Sequence, residues 1–283
     1  MTLDIANGIG CPVQCTKYCP QEIVVKKLGH MGKMSIEQFK KYLSTIPNDE
    51  LIIFGGVSEP FANPDGVKMV LHAHEKGHKI NLFTTLVGLG QDDAMRLVHI
   101  PFNLVVLHLP DANGVAKIPP TADYFNSLYL FLTNVQNLNC MNMGKNFISD
   151  NNENVIRGKQ GIRLHGRVMC PNLGERAYML FPDGTVTLCC MLRGMEGIIG
   201  NLNTDTYHEL SDRHTKIATE YQKDESTMCH KCSVAEDYHW YHFKKPLSAF
   251  IRRPEIIKLR NKLKVLPVPT QLAFDTSLQR PEK

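Results

Sequence analysis

The chain has 283 residues and is 43% hydrophobic and 21% charged, which is the composition of a globular protein. No apolar run approaches the roughly 18–20 residues that span a membrane, and the N-terminus has no signal-peptide pattern, so we expect neither a membrane protein nor an exported one. The formal net charge is +4, and the lysines and arginines form no stripe, so we expect no nucleic-acid partner. We therefore expect a cytoplasmic protein, where the nine cysteines stay reduced and favour metal binding over disulfides.

Three of these cysteines lie in one loop near the start of the chain. Residues 3–6 resemble a short strand, and Cys11, Cys15 and Cys19 follow it at a regular spacing of four residues. Thiolates this close in sequence can converge on one iron–sulfur cluster or one zinc ion. Three ligands are one short of a closed zinc site. An iron–sulfur cluster held by three cysteines would leave one iron open for a small molecule.

Strand and helix patterns alternate after the loop. The predicted helices are Ser35–Ile46, a second beginning at an Asn63 cap and ending before Gly77, Asp92–Val98, Thr121–Val135 and a polar segment at Asp150–Arg157. The predicted strands are Leu51–Phe54, Lys79–Thr85, Leu104–Leu109, Leu138–Met143 and Gly161–Leu164. These strands are apolar runs without alternation, which is typical of buried parallel strands in βαβ units. The fold class is therefore α/β, either a partial barrel of about six units or a doubly wound sheet.

In both of these folds the functional site lies at the C-terminal ends of the strands. The features that the pattern places there are the cysteine loop, the turn Gly55–Glu59, the pair Thr84-Thr85, and His108. We expect these polar and glycine-rich features to line one site.

The pattern changes at about Val168. Tyr178–Leu180 and Val186–Leu188 flank a Pro-Asp-Gly turn and predict a hairpin, and Thr206–Tyr221 predicts a helix. Five cysteines in this part indicate a small second metal-binding domain. We predict a barrel domain over residues 1–167, the metal-binding domain over 168–245, and a basic tail over 246–283 with one helix at Ile256–Val265.

On these motifs the chain resembles the radical S-adenosylmethionine (SAM) enzymes, which carry C-x3-C-x2-C after the first strand of a partial (β/α)6 barrel. The spacing here, C-x3-C-x3-C, is one residue longer. Tyr18 before the third cysteine, and the Gly-rich turn that ends in Glu59-Pro60, also match family habits. The C-terminal cysteines resemble the twitch domain, a short version of the SPASM domain that holds an auxiliary cluster. Their spacing alone also permits a structural zinc site with four cysteine ligands.

The resemblance implies two 4Fe-4S clusters and SAM as cofactors. The first cluster would be held by Cys11, Cys15 and Cys19. The second would be held by Cys170, Cys189, Cys229 and Cys232. An electron from flavodoxin or ferredoxin would then cleave SAM to methionine and a 5′-deoxyadenosyl radical, which abstracts a hydrogen atom from the substrate.

The remaining candidate residues are assigned by their place at strand ends. Gly56 in the turn with Gly55 would let the backbone approach SAM, and Glu59 would accept hydrogen bonds from its ammonium. Thr84 and Thr85 would contact SAM or only cap a turn, and His108 would reach its ribose or be an ordinary buried histidine. Tyr18 is a further candidate because it belongs to the first motif. Arg163 and Arg167 would bind the SAM carboxylate or an anionic substrate, or they would only form surface ion pairs.

The family resemblance favours an oxidoreductase, because short twitch enzymes include an aminocyclitol dehydrogenase. We therefore expect a small-molecule substrate, a sugar-type or cyclitol-type alcohol. An epimerase is one alternative, with Cys190 or Cys140 as hydrogen donor, and a peptide-modifying enzyme is another. The alternative from another class is a zinc-stabilised binding module without catalytic activity.

Overall fold

The computed structural model describes residues 2–15, 21–109, 117–142, 164–170, 177–192, 196–232, 235–240 and 242. The chain divides into two compact units, Met1–Glu236 and Asp237–Lys283. The strands in the described part are β1 (Thr2–Ile5), β2 (Leu51–Phe54), β3 (Ile80–Thr84), β4 (Leu104–Leu109), β5 (Leu138–Asn142), β6 (Val168–Met169), β7 (Ala177–Leu180), β8 (Thr185–Thr187), β9 (Ile198–Asn201) and β10 (Glu236–Asp237). The α-helices there are α1 (Gln21–Leu28), α2 (Ile36–Leu43), α3 (Gly66–Glu75), α4 (Gln91–Leu97), α5 (Ala122–Asn134) and α6 (Tyr207–Lys223).

Eight strands form one sheet in the order β5-β4-β3-β2-β1-β7-β8-β9. Neighbouring strands are parallel from β5 through β1 to β7, whereas β8 is antiparallel to both β7 and β9. Helices follow β2, β3 and β4, as the alternating sequence pattern predicts. The α/β class with a predominantly parallel sheet is confirmed, and β5 and β9 are the edges of the sheet within the described part of the chain.

One face of the sheet packs against α2 to α6. Leu3, Ile52, Leu82 and Leu107 alternate onto this helix-covered face and join the main hydrophobic core. Residues of the other parity, such as Asp4 and Met179, are adjacent in register and lie on the opposite face. Met179 belongs to a second, smaller core together with buried residues of α1 and of the turn after β2.

Two helices begin with a capping box, of which the first was predicted. Ser35 accepts a hydrogen bond from the Gln38 backbone, and the Gln38 side chain accepts one from the Ser35 N–H, so the predicted capping box at the start of α2 is confirmed. Thr206 and Glu209 form a second capping box at the start of α6.

Other local expectations are wrong. Asn63 does not begin α3, which has Asp65 at its N-cap. Instead, the Asn63 amide donates to the carbonyls of Asn7 and Met34, because a buried amide side chain must satisfy its own donors. On α5, the apolar side chain of Leu132 is 50% exposed, although the Thr121–Val135 pattern predicts an amphipathic helix.

The predicted hairpin forms as β7 and β8, but it does not stand apart from the first sheet. β7 pairs in parallel with β1, with Leu3 opposite Tyr178 and Ile5 opposite Leu180. The proposed boundary between residues 167 and 168 stays a prediction. Three predicted elements lie wholly or almost wholly outside the described residues. They are the helices at Asp150–Arg157 and Ile256–Val265 and the strand Gly161–Leu164. In the described part, no helix is both long enough and apolar enough to cross a membrane.

Candidate active site

The cysteine loop follows β1 and lies against the loop that follows β3. Cys11 and Cys15 are both half-buried and pack against Val13 and Val87. The Lys117 N–H donates to the Val13 carbonyl at 2.7 Å, which ties the loop to a third segment of the chain. The structure therefore places two of the three predicted ligands at the C-terminal edge of the parallel strands. Tyr18 and Cys19 lie outside the described residues.

Gln21, the first residue of α1, is a site residue that sequence reasoning missed. Its Oε1 accepts the Cys11 N–H at 3.1 Å, and its Nε2 donates to the Val57 carbonyl at 2.5 Å. One side chain therefore connects the cysteine loop to the Gly-rich turn after β2. No local pattern indicates this role. Both partners of the Gln21 side chain are backbone groups, which any residue has, and they lie 10 and 36 residues away in the sequence.

Glu59, Thr84 and Thr85 come together as one buried network. Glu59 Oε1 accepts from Thr84 Oγ1 at 2.5 Å and from the Phe61 N–H at 3.4 Å. Glu59 Oε2 accepts from the Thr85 N–H and from Thr85 Oγ1, both at 2.7 Å. A carboxylate has about four acceptor positions, and here four donors occupy them. Glu59 thus fastens the turn after β2 to the end of β3.

Burial governs the charge of this network. It raises the pKa of the Glu59 carboxyl above its usual range, although the hydrogen bonds from Thr84, Thr85 and Phe61 act in the opposite direction. The pKa of the Tyr124 phenol, on α5, is also raised. The larger cause is its own burial, and the second is the nearby charge of Glu59. The carboxylate is therefore held in a dry setting by neutral donors.

The Gly-rich turn makes close contact with its own sheet. Gly56 has a φ of 76°, and a Cβ built there would lie 2.9 Å from Met179 Cε and 3.2 Å from Asp4 Oδ1. A Cβ at Gly55 would lie 3.1 Å from Phe83 Cβ. The positive φ and the close approach together favour glycine at position 56, whereas position 55 has little room for a larger side chain. The expected approach of Gly56 to a cofactor stays a prediction.

His108 and Arg167 occupy different surroundings. His108, near the end of β4, is half-buried with its ring 6.3 Å from the ring of Phe83, and burial lowers its pKa. A neutral imidazole at this strand end is compatible with the predicted contact to a ribose. Arg167 is exposed and directly follows Gly166, whose N–H and carbonyl bond to Glu225 at 2.6 Å and to His230 at 2.8 Å. Arg163 lies outside the described residues.

The four C-terminal cysteines share the main core. Cys170, Cys189 and Cys229 are buried, and Cys232 is half-buried against the same core. Burial raises the pKa of Cys229 to about 12, with further contributions from Cys170, Cys232 and the Glu196 carboxylate. Cys170 and Cys232 are therefore close enough to Cys229 to influence it, and a bound metal centre would favour the thiolate form of Cys229.

The donor set of these four cysteines bears on the kind of metal centre they could hold. Among the described residues, which include all four cysteines, no three His, Cys, Asp or Glu side chains form a group that could hold one metal ion. The donor set is also all sulfur, which suits iron–sulfur chemistry.

The two spare cysteines differ in position. Cys190 is half-buried and packs against both the main core and the smaller core that contains Met179 and Phe181. Cys140 is exposed on the edge strand β5 and pairs in register with Leu107. Because paired residues of parallel strands point to the same face, Cys140 lies on the helix-covered face and Cys190 borders the opposite one.

Comparison with known proteins agrees with this geometry. Residues 170–233 match the model of the SPASM family, described as an iron–sulfur cluster-binding domain. This part of the chain is similar to SPASM domains. The SPASM match includes the predicted auxiliary ligands Cys170, Cys189, Cys229 and Cys232. No curated protein matches the sequence.

Solved structures resemble the chain over most of its length. BtrN in complex with AdoMet and 2-DOIA is 14% identical with a TM-score of 0.60, over 84% of this chain and 93% of BtrN. Native anSMEcpe with bound AdoMet is 16% identical with a TM-score of 0.55, over 93% of this chain and 99% of that one. The same enzyme with AdoMet and the Cp18Cys peptide is 16% identical with a TM-score of 0.52, at the same coverage. The predicted resemblance is confirmed at the level of the fold, which these AdoMet-bound neighbours share, and of the SPASM match over residues 170–233.

Proposed function

We propose that this protein is a radical SAM oxidoreductase that abstracts a hydrogen atom from a small alcohol of the sugar or cyclitol type. The observation that supports this most is that three loop segments are joined by hydrogen bonds. Gln21 connects the cysteine loop to the Gly-rich turn, and Glu59 connects that turn to the end of β3. Two further observations support it: a fold shared with AdoMet-bound structures, and a SPASM match over residues that contribute β7, β8 and β9 to the same sheet.

The residues would divide the work as follows. Cys11, Cys15 and Cys19 would hold one 4Fe-4S cluster, with one iron left for SAM. When bound, cluster and SAM would supply a 5′-deoxyadenosyl radical that removes a substrate hydrogen. The chain itself keeps the site dry and rigid, because the buried Glu59 network fixes the positions of two loops at the strand ends.

The SPASM domain would serve as the electron acceptor in an oxidation. Its four cysteines would close a second 4Fe-4S cluster with protein thiolates alone, so that cluster has no open position for substrate. After hydrogen abstraction, oxidation of an alcohol requires the loss of one more electron and one proton. The auxiliary cluster would take that electron.

A small-molecule substrate is supported by the comparison with BtrN, whose structure contains 2-DOIA and has the highest TM-score of the structures compared above. The anSMEcpe structure with the Cp18Cys peptide keeps peptide modification as an alternative. An electron donor of the flavodoxin or ferredoxin type belongs to the same proposal.

Metal content and SAM cleavage test this proposal directly. Protein reconstituted without oxygen should contain two four-iron clusters with acid-labile sulfide and should cleave SAM under dithionite. Changing Cys11, Cys15 and Cys19 together to Ala should leave one cluster and abolish cleavage. Zinc without sulfide would contradict the proposal in favour of a binding module, and cleavage by the triple variant would contradict the assignment of the loop.

The position of Cys190 favours one second candidate, an epimerase. A thiol at the border of the Met179 face can return a hydrogen atom to a substrate radical, whereas Cys140 faces the other side of the sheet. We expect Cys190→Ala to keep oxidative turnover, with Cys140→Ala as its matched control. Solvent deuterium at carbon in the product, lost in Cys190→Ala but kept in Cys140→Ala, would establish the epimerase instead.

A further inference from the structure

A cavity lies at the edge of the sheet opposite the candidate active site. It has a volume of about 350 Å³ and lies between the connection from α4 to β4 and the connection from α5 to β5. Both connections lead into the N-terminal ends of their strands, whereas the cysteine loop and the Glu59 network lie at the C-terminal ends. β4 has six residues, so about 20 Å of strand separates the two edges. The volume is within the range of small-molecule sites, and no residue that the proposed function uses lines this cavity.

Hydrogen bonds hold the walls of the cavity in place. The Asn137 amide donates to the Phe102 carbonyl at 3.0 Å, which joins the two connections to each other. The Phe102 N–H donates to the Ile100 carbonyl at 2.8 Å, and the Val105 N–H donates to the Asn137 carbonyl at 2.8 Å. The cavity is therefore preformed, and a ligand would not have to order its walls.

The lining combines buried apolar side chains with a polar, uncharged rim. Val98, Ile100 and Phe102 are buried and form the apolar floor. Three amides and one imidazole form the exposed rim, and the described lining includes no aspartate, glutamate, lysine or arginine. The rim residues are His99, Asn134, Gln136 and Asn137. A charged ligand would lose hydration here without gaining an ionic partner, so the cavity favours a neutral ligand.

Two of the rim amides present acceptors in a fixed orientation. Asn134 Nδ2 donates to the Leu130 carbonyl at 2.9 Å and to Thr133 Oγ1 at 2.8 Å. Asn137 Nδ2 is likewise committed to the Phe102 carbonyl. Because a carbonyl can only accept, each amide must turn its NH2 group toward it, which leaves Oδ1 for a ligand. A ligand with several O–H donors matches these oxygens.

The other two rim side chains are adaptable. The side chains of His99 and Gln136 form no hydrogen bond or ion pair with any described residue. An imidazole and a carboxamide can each donate or accept, so either side chain can meet a hydroxyl in either role.

We propose that this cavity binds a neutral, ring-shaped polyhydroxyl compound of the sugar or cyclitol class, at a site separate from the active site. Hydroxyls of the ligand donate to Asn134 Oδ1 and Asn137 Oδ1, and the C–H face of its ring covers the apolar floor. No covalent bond forms or breaks. The inference goes beyond the proposed function, because binding here requires neither a cluster nor SAM.

Binding of myo-inositol to the reconstituted whole chain, titrated by saturation-transfer nuclear magnetic resonance, tests the proposal. We expect N134A/Q136A to weaken the affinity by at least about tenfold, because it removes two hydrogen-bonding groups from the rim. Q91A/N126A is the matched control and should bind as wild type does. It removes the same two residue types from α4 and α5 outside the cavity, where Asn126 donates to Gln91 at 2.9 Å.

If N134A/Q136A does not fold, H99L/Q136L should weaken binding in the same way, since these two side chains bond to no described residue. The inference is overturned if wild type does not bind myo-inositol, or if the control loses as much affinity as the cavity variant. Affinity that the cavity variants retain would place the cyclitol elsewhere, as in the active site, and would also overturn it. Variant-sensitive binding of adenosine, with none of myo-inositol, would overturn the ligand class.

SAM cleavage under dithionite separates this inference from the proposed function. All of these proteins should cleave SAM equally, because no changed residue belongs to the candidate active site. A wild-type protein that binds myo-inositol in the cavity but does not cleave SAM would contradict the proposed function and leave the second site established.

Discussion

The Glu59 carboxylate shows how one residue can join two loops without a charged partner among the described residues. Four neutral donors hold it, yet burial still raises its pKa. When the pKa of a carboxyl is higher in the folded than in the unfolded protein, protonation of that carboxyl stabilises the fold. Its contribution to stability is therefore fully present below the ordinary pKa and is lost as the pH rises through the raised one.

We expect Glu59→Gln to remove this pH dependence and to destabilise the fold by about 1–3 kcal/mol, because the new amide places a donor against the N–H and hydroxyl of Thr85. The measurement is thermal unfolding without oxygen from pH 5 to pH 8. The free energy of unfolding should fall with rising pH more steeply in wild type than in the variant. Parallel curves would show that Glu59 does not titrate in this range.

Glu196 is a carboxylate whose charge acts on one of the auxiliary cysteines, Cys229. Its Oε1 accepts the Met228 N–H at 2.8 Å, next to Cys229, and its charge contributes to the raised pKa of that thiol. A fixed negative charge disfavours adding an electron nearby. We predict that Glu196→Gln raises the reduction potential of the auxiliary cluster, measured by redox titration with electron paramagnetic resonance.

Glu225→Gln is the control for that titration. Glu225 also accepts a backbone N–H, from Gly166 at 2.6 Å, but its charge is not among those that shift the pKa of Cys229. A similar potential shift in both variants would mean that the change reflects general loosening of the domain and not the charge of Glu196.

At the scale of elements, local signals were sufficient for much of the fold. Ser35 with Gln38 marks the start of α2, and the apolar run Leu51–Phe54 forms β2 as predicted. The pairing of β7 with β1 could not be predicted, because a parallel pairing between residues so distant in sequence leaves no local pattern. The sequence likewise brings Glu59 and Thr84 to one strand edge, but only coordinates show that they bond to each other.

The link between α1 and the cysteine loop was missed for the same reason, and it can be tested. Gln21→Ala removes two hydrogen bonds, each contributing about 0.5–1.5 kcal/mol to the position of the loop. We expect the loop cluster to lose iron to a chelator faster, with the auxiliary cluster unchanged. Gln38→Ala, which alters the α2 cap, is the control. Equal iron loss from both clusters would contradict the link.

At the scale of the molecule, the auxiliary cysteines belong to the core that stabilises the parallel sheet. Cys170, Cys189 and Cys229 are buried in the same cluster as Leu3 of β1 and Ile52 of β2. A cluster bound by these thiols would therefore connect β8, the 228–231 turn and the core beneath β1. Metal binding of this kind contributes directly to the free energy of folding.

We therefore predict that Met1–Glu236 unfolds as one cooperative unit and that Cys229→Ala lowers its melting temperature more than the triple Cys11, Cys15 and Cys19 variant does. Cys11 and Cys15 pack against the small group around Val13 and Val87 and are not members of the main core among the described residues, so we expect the loss of their cluster to leave that core intact. Differential scanning calorimetry of the reconstituted proteins without oxygen is the measurement. Two separate transitions in wild type, with Cys229→Ala moving only one of them, would show that the region of residues 170–233 is stabilised independently of the sheet that β1 and β7 share.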